Sequence, residues 1–470
     1  MTVGESACIL HRMHTDPQQA YLDANHLLAA GDYAGAEDSY LQALALQPWH
    51  VAARANLGYL KEQQGAAAEA EFHYRQAIAL MPDHAQLHQN LGALLFKEKR
   101  LAESEASLRT ALELTPDSPT VWSQLGAVLV CTHREPEGEA CYRQALALDP
   151  EHARTQFNLS YLLLRQARFE EGWRMLEARW QFDHFPLSFD CPFWNGEPLE
   201  GKSIVIGLEA GHGDMIHFCR YAAMLKQHGA RRVEVVCHPG LQRLFATLPG
   251  VDRVHALGEV PSGDWDYWTR PMRLPGLFGT EMATIPSEVP YLHAQPELVA
   301  AWRDALPQQG LRVGLAWRGN ANFENDADRS LPSLMALAPL GAAVAPGAVH
   351  FVSLQKGSGE AEALTPPAGM YVHPLASRLS DFAETAALIV NLDLVISVDT
   401  AVAHLAGALG KPCWLLLPDY RCDWRWMAER DDTPWYPSMH LFRQPRGGGW
   451  APVIEQVAAA LRELAASSAA

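Results

Sequence analysis

Cysteine is sparse and unpatterned in this chain: eight residues, Cys8, Cys131, Cys141, Cys191, Cys219, Cys237, Cys413 and Cys422, with no CxxC pair among them. That spacing argues against a zinc ribbon or a disulfide framework, and the thiols read as buried or incidental in a reducing cytoplasm. Basic runs are missing too. No Lys/Arg stretch exceeds a pair such as Arg231-Arg232, and 37 Lys and Arg against 54 Asp and Glu give a formal charge of −17. A long phosphate-tracking surface, and with it a nucleic-acid partner, is therefore not expected. A nucleotide-sized anion needs only one or two cations and stays compatible. The opening MTVGESACILHRMHTD lacks the apolar stretch of a secretory signal, and nothing reaches the length of a membrane span. The expectation is a cytoplasmic protein with no membrane partner. Clustered acidic metal motifs do not occur, so no metal site is expected.

What is present is ordinary globular chemistry. Apolar residues make up 48% and charged residues 19% of 470, enough for two or three domains. The first part of the chain keeps a ruler. Pro48, Pro82, Pro116 and Pro150 are spaced by 34 residues, as are Leu57, Leu91, Leu125 and Leu159, and Ala43, Ala77, Ala111 and Ala145. Gly58, Gly92 and Gly126 share the step, as do Tyr40, Tyr74 and Tyr142, with Leu108 in the missing place. Small Gly and Ala suit the close approach of two antiparallel helices. Leu and Tyr suit the gap between units, and Pro ends the second helix. The pattern resembles the tetratricopeptide repeat (TPR) family, with units at 17–50, 51–84, 85–118 and 119–152.

A fifth unit, 153–186, has Ser160 in the glycine column and Arg179 in the alanine column, then turns aromatic at Trp173, Trp180, Phe182 and Phe185. It reads as a cap that docks onto the next domain. Such solenoids expose a concave groove, so a peptide or protein partner is expected.

After Pro186 the vocabulary changes. Ser203–Leu208, Arg232–Cys237 and Arg253–Ala256 read as strands, with helices at Met215–His228 and Leu241–Leu248 between them. A polar helix near Pro296–Leu306 leads to a second set of strands at Arg312–Trp317, Val349–Leu354, Leu394–Val398 and Pro412–Leu417. The amphipathic Pro452–Ala465 is expected to pack back across both lobes. The fold class is thus an α solenoid followed by two Rossmann-like, doubly wound α/β lobes with ligand in an interlobe cleft. The domains are a tail at 1–16, the solenoid at 17–186, an acceptor-side lobe at 187–305 and a nucleotide-side lobe at 306–470.

Three constellations carry chemistry. Gly207–Asp214 reads GLEAGHGD between a strand and a helix, and its glycines let the backbone turn beside a ligand. Asp214 is a candidate general base; on spacing alone, a cap for the following helix is the stronger reading, and the two roles are compatible. Ser397–Pro412 runs from a buried strand into Asp399-Thr400 and a helix of small residues. Free amides there suit a diphosphate, with Thr400 and His404 on one face; Asp399 must then point away from those amides, towards a sugar hydroxyl for instance. His404 is equally readable as a core histidine. The third constellation follows successive strands: Arg318, Asn320 and Arg329 in one loop, Gln355 and Lys356 in the next, as candidate contacts for nucleotide and phosphates. Asp381 and Glu384 look like a helix capping pair. Asp423-Trp424-Arg425-Trp426 and Trp435-Tyr436-Pro437 read as packing between the lobes, with an aromatic wall beside a sugar as the alternative.

Residues 200–465 resemble the GT-B glycosyltransferases close to the bacterial heptosyltransferases (family nine), in the branch fused to TPR units. GHGDMIHFCRYAAML is similar to that family's N-terminal loop and helix, whose aspartate acts as base, which implies that role for Asp214. His212 stands where the family commonly has a small or apolar residue, and is a second candidate for sharing it. SVDTAVAHLAGALGKP is similar to the family's D-T-x-x-x-H-x-A donor motif, which implies diphosphate binding by Thr400, Ala401 and His404. The plan of TPR units joined to a GT-B domain is also similar to that of O-GlcNAc transferase, without a motif-level match. The resemblance implies an inverting, metal-independent transfer from a nucleotide-sugar co-substrate, with no separate cofactor, to a hydroxyl of a protein acceptor. Two rival readings are a non-catalytic TPR scaffold with a degenerate GT-B domain, and an enzyme acting on a lipopolysaccharide sugar.

Overall fold

The computed structural model describes residues 14–182, 187–259 and 263–468. The expectations for residues 1–13, including Cys8, and for Phe185 fall outside these. Among the described residues all seven cysteines carry free thiols, and no helix is long and apolar enough to cross a membrane. Contacts divide the chain into two compact units, one through Leu159 and one from Ser160 onwards.

The first unit is built of helix pairs: α1 (Pro17–Ala29) with α2 (Tyr33–Leu46), α3 (Val51–Gln63) with α4 (Ala67–Leu80), α5 (Ala85–Lys97) with α6 (Leu101–Leu114), and α7 (Pro119–Cys131) with α8 (Glu135–Leu148). The columns read from the sequence explain the pairing. A Cβ on Gly58 would meet the Tyr74 ring at 2.9 Å, one on Gly92 would meet Leu108 at 2.7 Å, and one on Gly126 the Tyr142 ring at 2.7 Å. The Tyr/Leu column therefore sits on the glycine of its own unit, and it also reaches the next unit, where Tyr74 packs with Leu91, Leu94 and Leu95. Charged residues keep the same step. Arg100 pairs with Glu71 of the preceding unit, and Arg134 pairs with Glu105 of the preceding unit at 2.8 Å. Each glutamate is also held by an arginine of its own helix, Glu71 by Arg75 and Glu105 by Arg109, both at 2.8 Å.

Helix α9 (Ala153–Arg165) crosses the division, and α10 (Phe169–Leu176) lies in the second unit. The break in the alanine column has a cause there. Arg179 is 2% exposed, and its Nε donates to Oε1 of the buried Glu209 at 2.8 Å; Glu209 Oε2 accepts from the Met272 amide at 3.0 Å. The Trp173 indole donates to Thr280 O at 2.9 Å.

Two parallel sheets follow, as expected for an α/β region. The first contains β1 (Ser203–Ile206), β2 (Arg232–Cys237), β3 (Arg253–Ala256) and β4 (Tyr267–Thr269), in the order β3-β2-β1-β4. The second contains β5 (Leu311–Ala316), β6 (Val349–Ser353), β7 (Val372–His373), β8 (Leu394–Val398), β9 (Cys413–Leu417) and β10 (Met439–Arg443), in the order β10-β9-β8-β5-β6-β7. Leu315 of β5 lies opposite Ser353 on one side and Ile396 on the other, so the carboxyl ends of β5, β6 and β8 are level. Their following loops share one edge.

Two expectations are corrected. The helix read as Met215–His228 begins earlier, as α11 (His212–Phe218), and is interrupted by a 3-10 turn at Cys219–Tyr221 before Ala222–Gln227. The C-terminal helix, Ala451–Ser468, does not bridge two lobes: Val453, Ile454, Val457 and Leu461 join the core of the six-stranded sheet, with Val313, Phe351 and Leu394. Its apolar face has its complement there.

Candidate active site

The loop after β1 and the loop after β8 come together. Gly213, in the first turn of α11, lies against the Ala401–Ala408 helix: a Cβ there would sit 2.9 Å from His404 Cδ2 and 3.5 Å from Ala401 Cα. Only glycine admits this approach without displacing the histidine.

Asp214 follows as the third residue of α11. Its Oδ2 accepts from the amide of Gly211, the helix N-cap, at 3.1 Å, so it does serve the helix start. Its Oδ1 accepts from Arg425 Nη2 at 2.6 Å. Arg425 is buried, and its Nη1 also pairs with Asp423 at 3.0 Å while its guanidinium lies over Trp424 at 4.6 Å and Phe218 at 5.0 Å. Each Asp214 oxygen keeps a lone pair for another donor.

At the second junction Thr400 is the N-cap, and its side chain makes no capping hydrogen bond to the helix start. Asp399 is turned away, its Oδ2 accepting from the Trp426 indole at 2.8 Å. Burial, reinforced by the negative charge of Asp423, raises the Asp399 carboxyl to about 6. The Thr400 hydroxyl lies 3.2 Å from Ser397 Oγ. His404 Nδ1 is 2.9 Å from the Tyr436 hydroxyl, and the ring stacks on Trp426 at 5.3 Å. Burial, followed by the charges of Arg425, Arg220 and Arg329, holds His404 well below the ordinary imidazole range, so it is neutral.

The other candidates separate into two groups. Arg329 is near enough to act electrostatically on Asp399 and His404; it pairs with Asp326 at 3.3 Å and stacks over Phe323 at 4.3 Å. Arg318 is drawn to Glu362 at 3.2 Å and to Pro332 O. Gln355 is buried and braces that loop, accepting from the amides of Trp317 and Arg318 at 2.9 Å each and donating to Ser358 O at 2.8 Å. Lys356 Nζ reaches Ala376 O at 3.1 Å, and the exposed Asn320 folds its own turn through the Asn322 amide. His212 stacks on His238, at 4.1 Å, and on Phe382, at 5.2 Å; burial and then His238 lower it to about 4.

Sequence reasoning missed Arg425 as the partner of Asp214, missed His217, Arg220 and Tyr291, and saw Tyr436 only as part of an aromatic segment. The only signal was the aromatic density around them. Trp424, Trp426, Trp435 and Tyr436 are fully buried, which makes this segment packing, not a wall open to a sugar. The Tyr436 hydroxyl lies between two histidines, 3.0 Å from His217 Nδ1 and 2.9 Å from His404 Nδ1. Arg220 donates to Tyr291 Oη at 2.9 Å and to the carbonyls of His217, Trp435 and Pro286. Among the described residues no group of three or more His, Cys, Asp or Glu is placed to hold a metal ion.

TPR models match residues 61–128, 21–80 and 136–172, and the glycosyltransferase family 9 (heptosyltransferase) model matches residues 347–415, which include β8 and the Ala401–Ala408 helix. The chain thus carries TPR repeats and a segment that points to a glycosyltransferase. A curated relative, protein FlbA of Caulobacter vibrioides, is 30% identical over 353 residues, 67% of this chain. The chain spans only 56% of that relative's length. Among solved structures, MamA from Desulfovibrio magneticus RS-1 aligns with 37% of this chain and 99% of its own, at 17% identity and a TM-score of 0.34. Pseudomonas aeruginosa pilF aligns with 36% of this chain and 77% of its own, at 20% identity and a TM-score of 0.33.

Proposed function

We propose that the protein is a GT-B glycosyltransferase that moves a sugar from a nucleotide-sugar to a hydroxyl of a protein acceptor bound by the TPR units, with inversion and without a metal. The observation that carries this reading is the seating of Gly213 against His404 and Ala401, which brings the Asp214 loop and the β8–helix junction into one site. Thr400, Ala401 and His404 hold the diphosphate at a helix start that the Thr400 side chain leaves uncapped, where amide dipoles favour an anion. Arg329 adds positive potential. Asp214 takes the proton of the acceptor hydroxyl; the oxygen attacks the anomeric carbon from the face opposite the leaving group; the bond to the diphosphate breaks, and its charge passes to the helix amides. Arg425 and the Gly211 amide orient the carboxylate throughout. His212, stacked on His238 and Phe382, serves the packing of this loop in this reading and leaves the proton transfer to Asp214.

The test has two readouts. Nucleotide-sugars are screened for thermal stabilisation, and the donor found is used in a transfer assay with protein from the native cell. Asp214→Asn should keep nucleoside diphosphate affinity while turnover falls by about 10²-fold or more. Near-normal turnover in the folded variant removes Asp214 from the base role. Deleting residues 1–150 should abolish transfer to protein while donor hydrolysis survives. Undiminished transfer by the truncated enzyme refutes a protein acceptor held by the repeats.

A further inference from the structure

Tyr436 presents one proton to two neutral histidines. His217 is fully buried, and burial followed by the charges of Arg220 and Arg425 keeps it, like His404, well below the ordinary imidazole range. Both rings direct Nδ1 at the same hydroxyl, at 3.0 and 2.9 Å. The Tyr436 O–H can donate to only one of them, so the other must carry its own proton on Nδ1 and donate to the phenol oxygen. Tyr291 does not relieve this constraint: its hydroxyl donates to Ile216 O at 3.0 Å, accepts from Arg220, and lies 3.5 Å from Tyr436.

Two arrangements are possible, and the far nitrogens distinguish them. His217 Nε2 is buried with no hydrogen-bond partner among the described residues. A bare acceptor there is tolerable, whereas an orphaned buried N–H is much rarer. His404 Nε2 lies 3.9 Å from Asp399 Oδ1, too long for a hydrogen bond but close enough to repel a bare lone pair. Both observations favour the same choice.

We infer that His217 donates Nδ1–H to Tyr436, that Tyr436 donates to His404 Nδ1, and that His404 is thereby fixed as an Nε2–H donor at the start of the Ala401–Ala408 helix. His217 and Tyr436 are positioning residues. They leave His404 able only to donate at Nε2, so the imidazole favours an anion over a cation without carrying a charge of its own. The use of that donor rests on the reading that the helix start holds the diphosphate; the tautomer itself does not.

Long-range 1H–15N spectra of the full chain labelled with 15N-histidine test the chain of donors, with His217 and His404 assigned by His217→Asn and His404→Gln. The expected wild-type pattern is protonated Nε2 and acceptor Nδ1 for His404, and the reverse for His217, unchanged between about pH 6 and 8. Tyr436→Phe keeps the ring and removes the hydroxyl; His404 should then lose its single tautomer, and inorganic pyrophosphate should bind about three- to tenfold more weakly. His217→Asn retains an amide donor near the place of Nδ1–H and should preserve the His404 tautomer, whereas His217→Phe should not. A wild-type His404 protonated at Nδ1, or a His404 tautomer indifferent to Tyr436→Phe, overturns the inference. Pyrophosphate that leaves the His404 Nε2 signal unmoved, with the wild-type tautomers as expected, overturns the diphosphate site alone.

Discussion

Arg425→Met isolates the electrostatic link between the Asp214 loop and the aromatic segment. Methionine keeps the packing over Phe218 and Trp424 but removes a guanidinium that is 4% exposed and pairs with Asp214 at 2.6 Å and Asp423 at 3.0 Å. Breaking a dry ion pair costs about 3–5 kcal/mol. The two carboxylates are 29% and 24% exposed, so water recovers part of their solvation, and about 2–3 kcal/mol is the expected loss. The unit from Ser160 onwards has roughly 310 residues, with an unfolding entropy of about 0.65 kcal/mol/K, so its midpoint should fall by about 3–5 °C. Tryptophan fluorescence reads that unit, because only Trp49 and Trp122 of the 14 tryptophans precede Ser160. Asp214→Asn, which can still accept from Arg425, should cost about 1 kcal/mol, and in the Arg425→Met background it should cost less or stabilise. The resulting coupling should be about 1–2 kcal/mol. Additivity within about 0.5 kcal/mol would refute the pair as an energetic link.

Asp399→Asn should alter the pH dependence of stability. A folded carboxyl raised to about 6 above an unfolded value of about 3.9 means that the folded state holds the extra proton between those values, so stability falls as pH rises through that window and stays reduced above it. The Asn variant should therefore gain up to about 1–2 kcal/mol on wild type near pH 8, and no such gain below about pH 4; thermal melts showing one constant difference across pH would contradict the burial argument. In the solenoid, Gly126→Ala must displace the Tyr142 ring from 2.7 Å and should cost about 1–3 kcal/mol in far-UV circular dichroism melts, whereas an unchanged midpoint would mean that the helices of this unit are not in contact.

The sequence revealed periodic and central elements best. Gly92 and Leu108 announce a helix pair because each recurs in a column, and Leu394–Val398 announces a strand because both its faces are buried. The strands that were missed, Tyr267–Thr269, Val372–His373 and Met439–Arg443, are all edges of their sheets, where burial on one side alone leaves little pattern. The same locality limits the site. Asp214, Thr400 and His404 stand out because they sit at strand-to-helix junctions marked by small residues. Arg425 does not, because its partner Asp214 lies 211 positions away, and Tyr436 meets His217 across 219. Arg318 shows the converse: a cation after a strand looks available until the fold supplies Glu362.

The pairing of Arg100 with Glu71 and of Arg134 with Glu105 gives the two seams that join the second, third and fourth units the same polarity, acid on the preceding unit and base on the following one. Such a joint behaves like an identical coupling on successive railway carriages. Excising residues 85–118 would leave Glu71 facing Arg134, and Tyr74 facing Leu125 where Leu91 had been, so the cut ends already match. Unequal recombination between these neighbouring copies can therefore lengthen or shorten the array by whole units while the joints of this kind are inherited intact. Reach is then free to diverge among descendants, even where the fifth unit, tied by Arg179 to Glu209, has left the series.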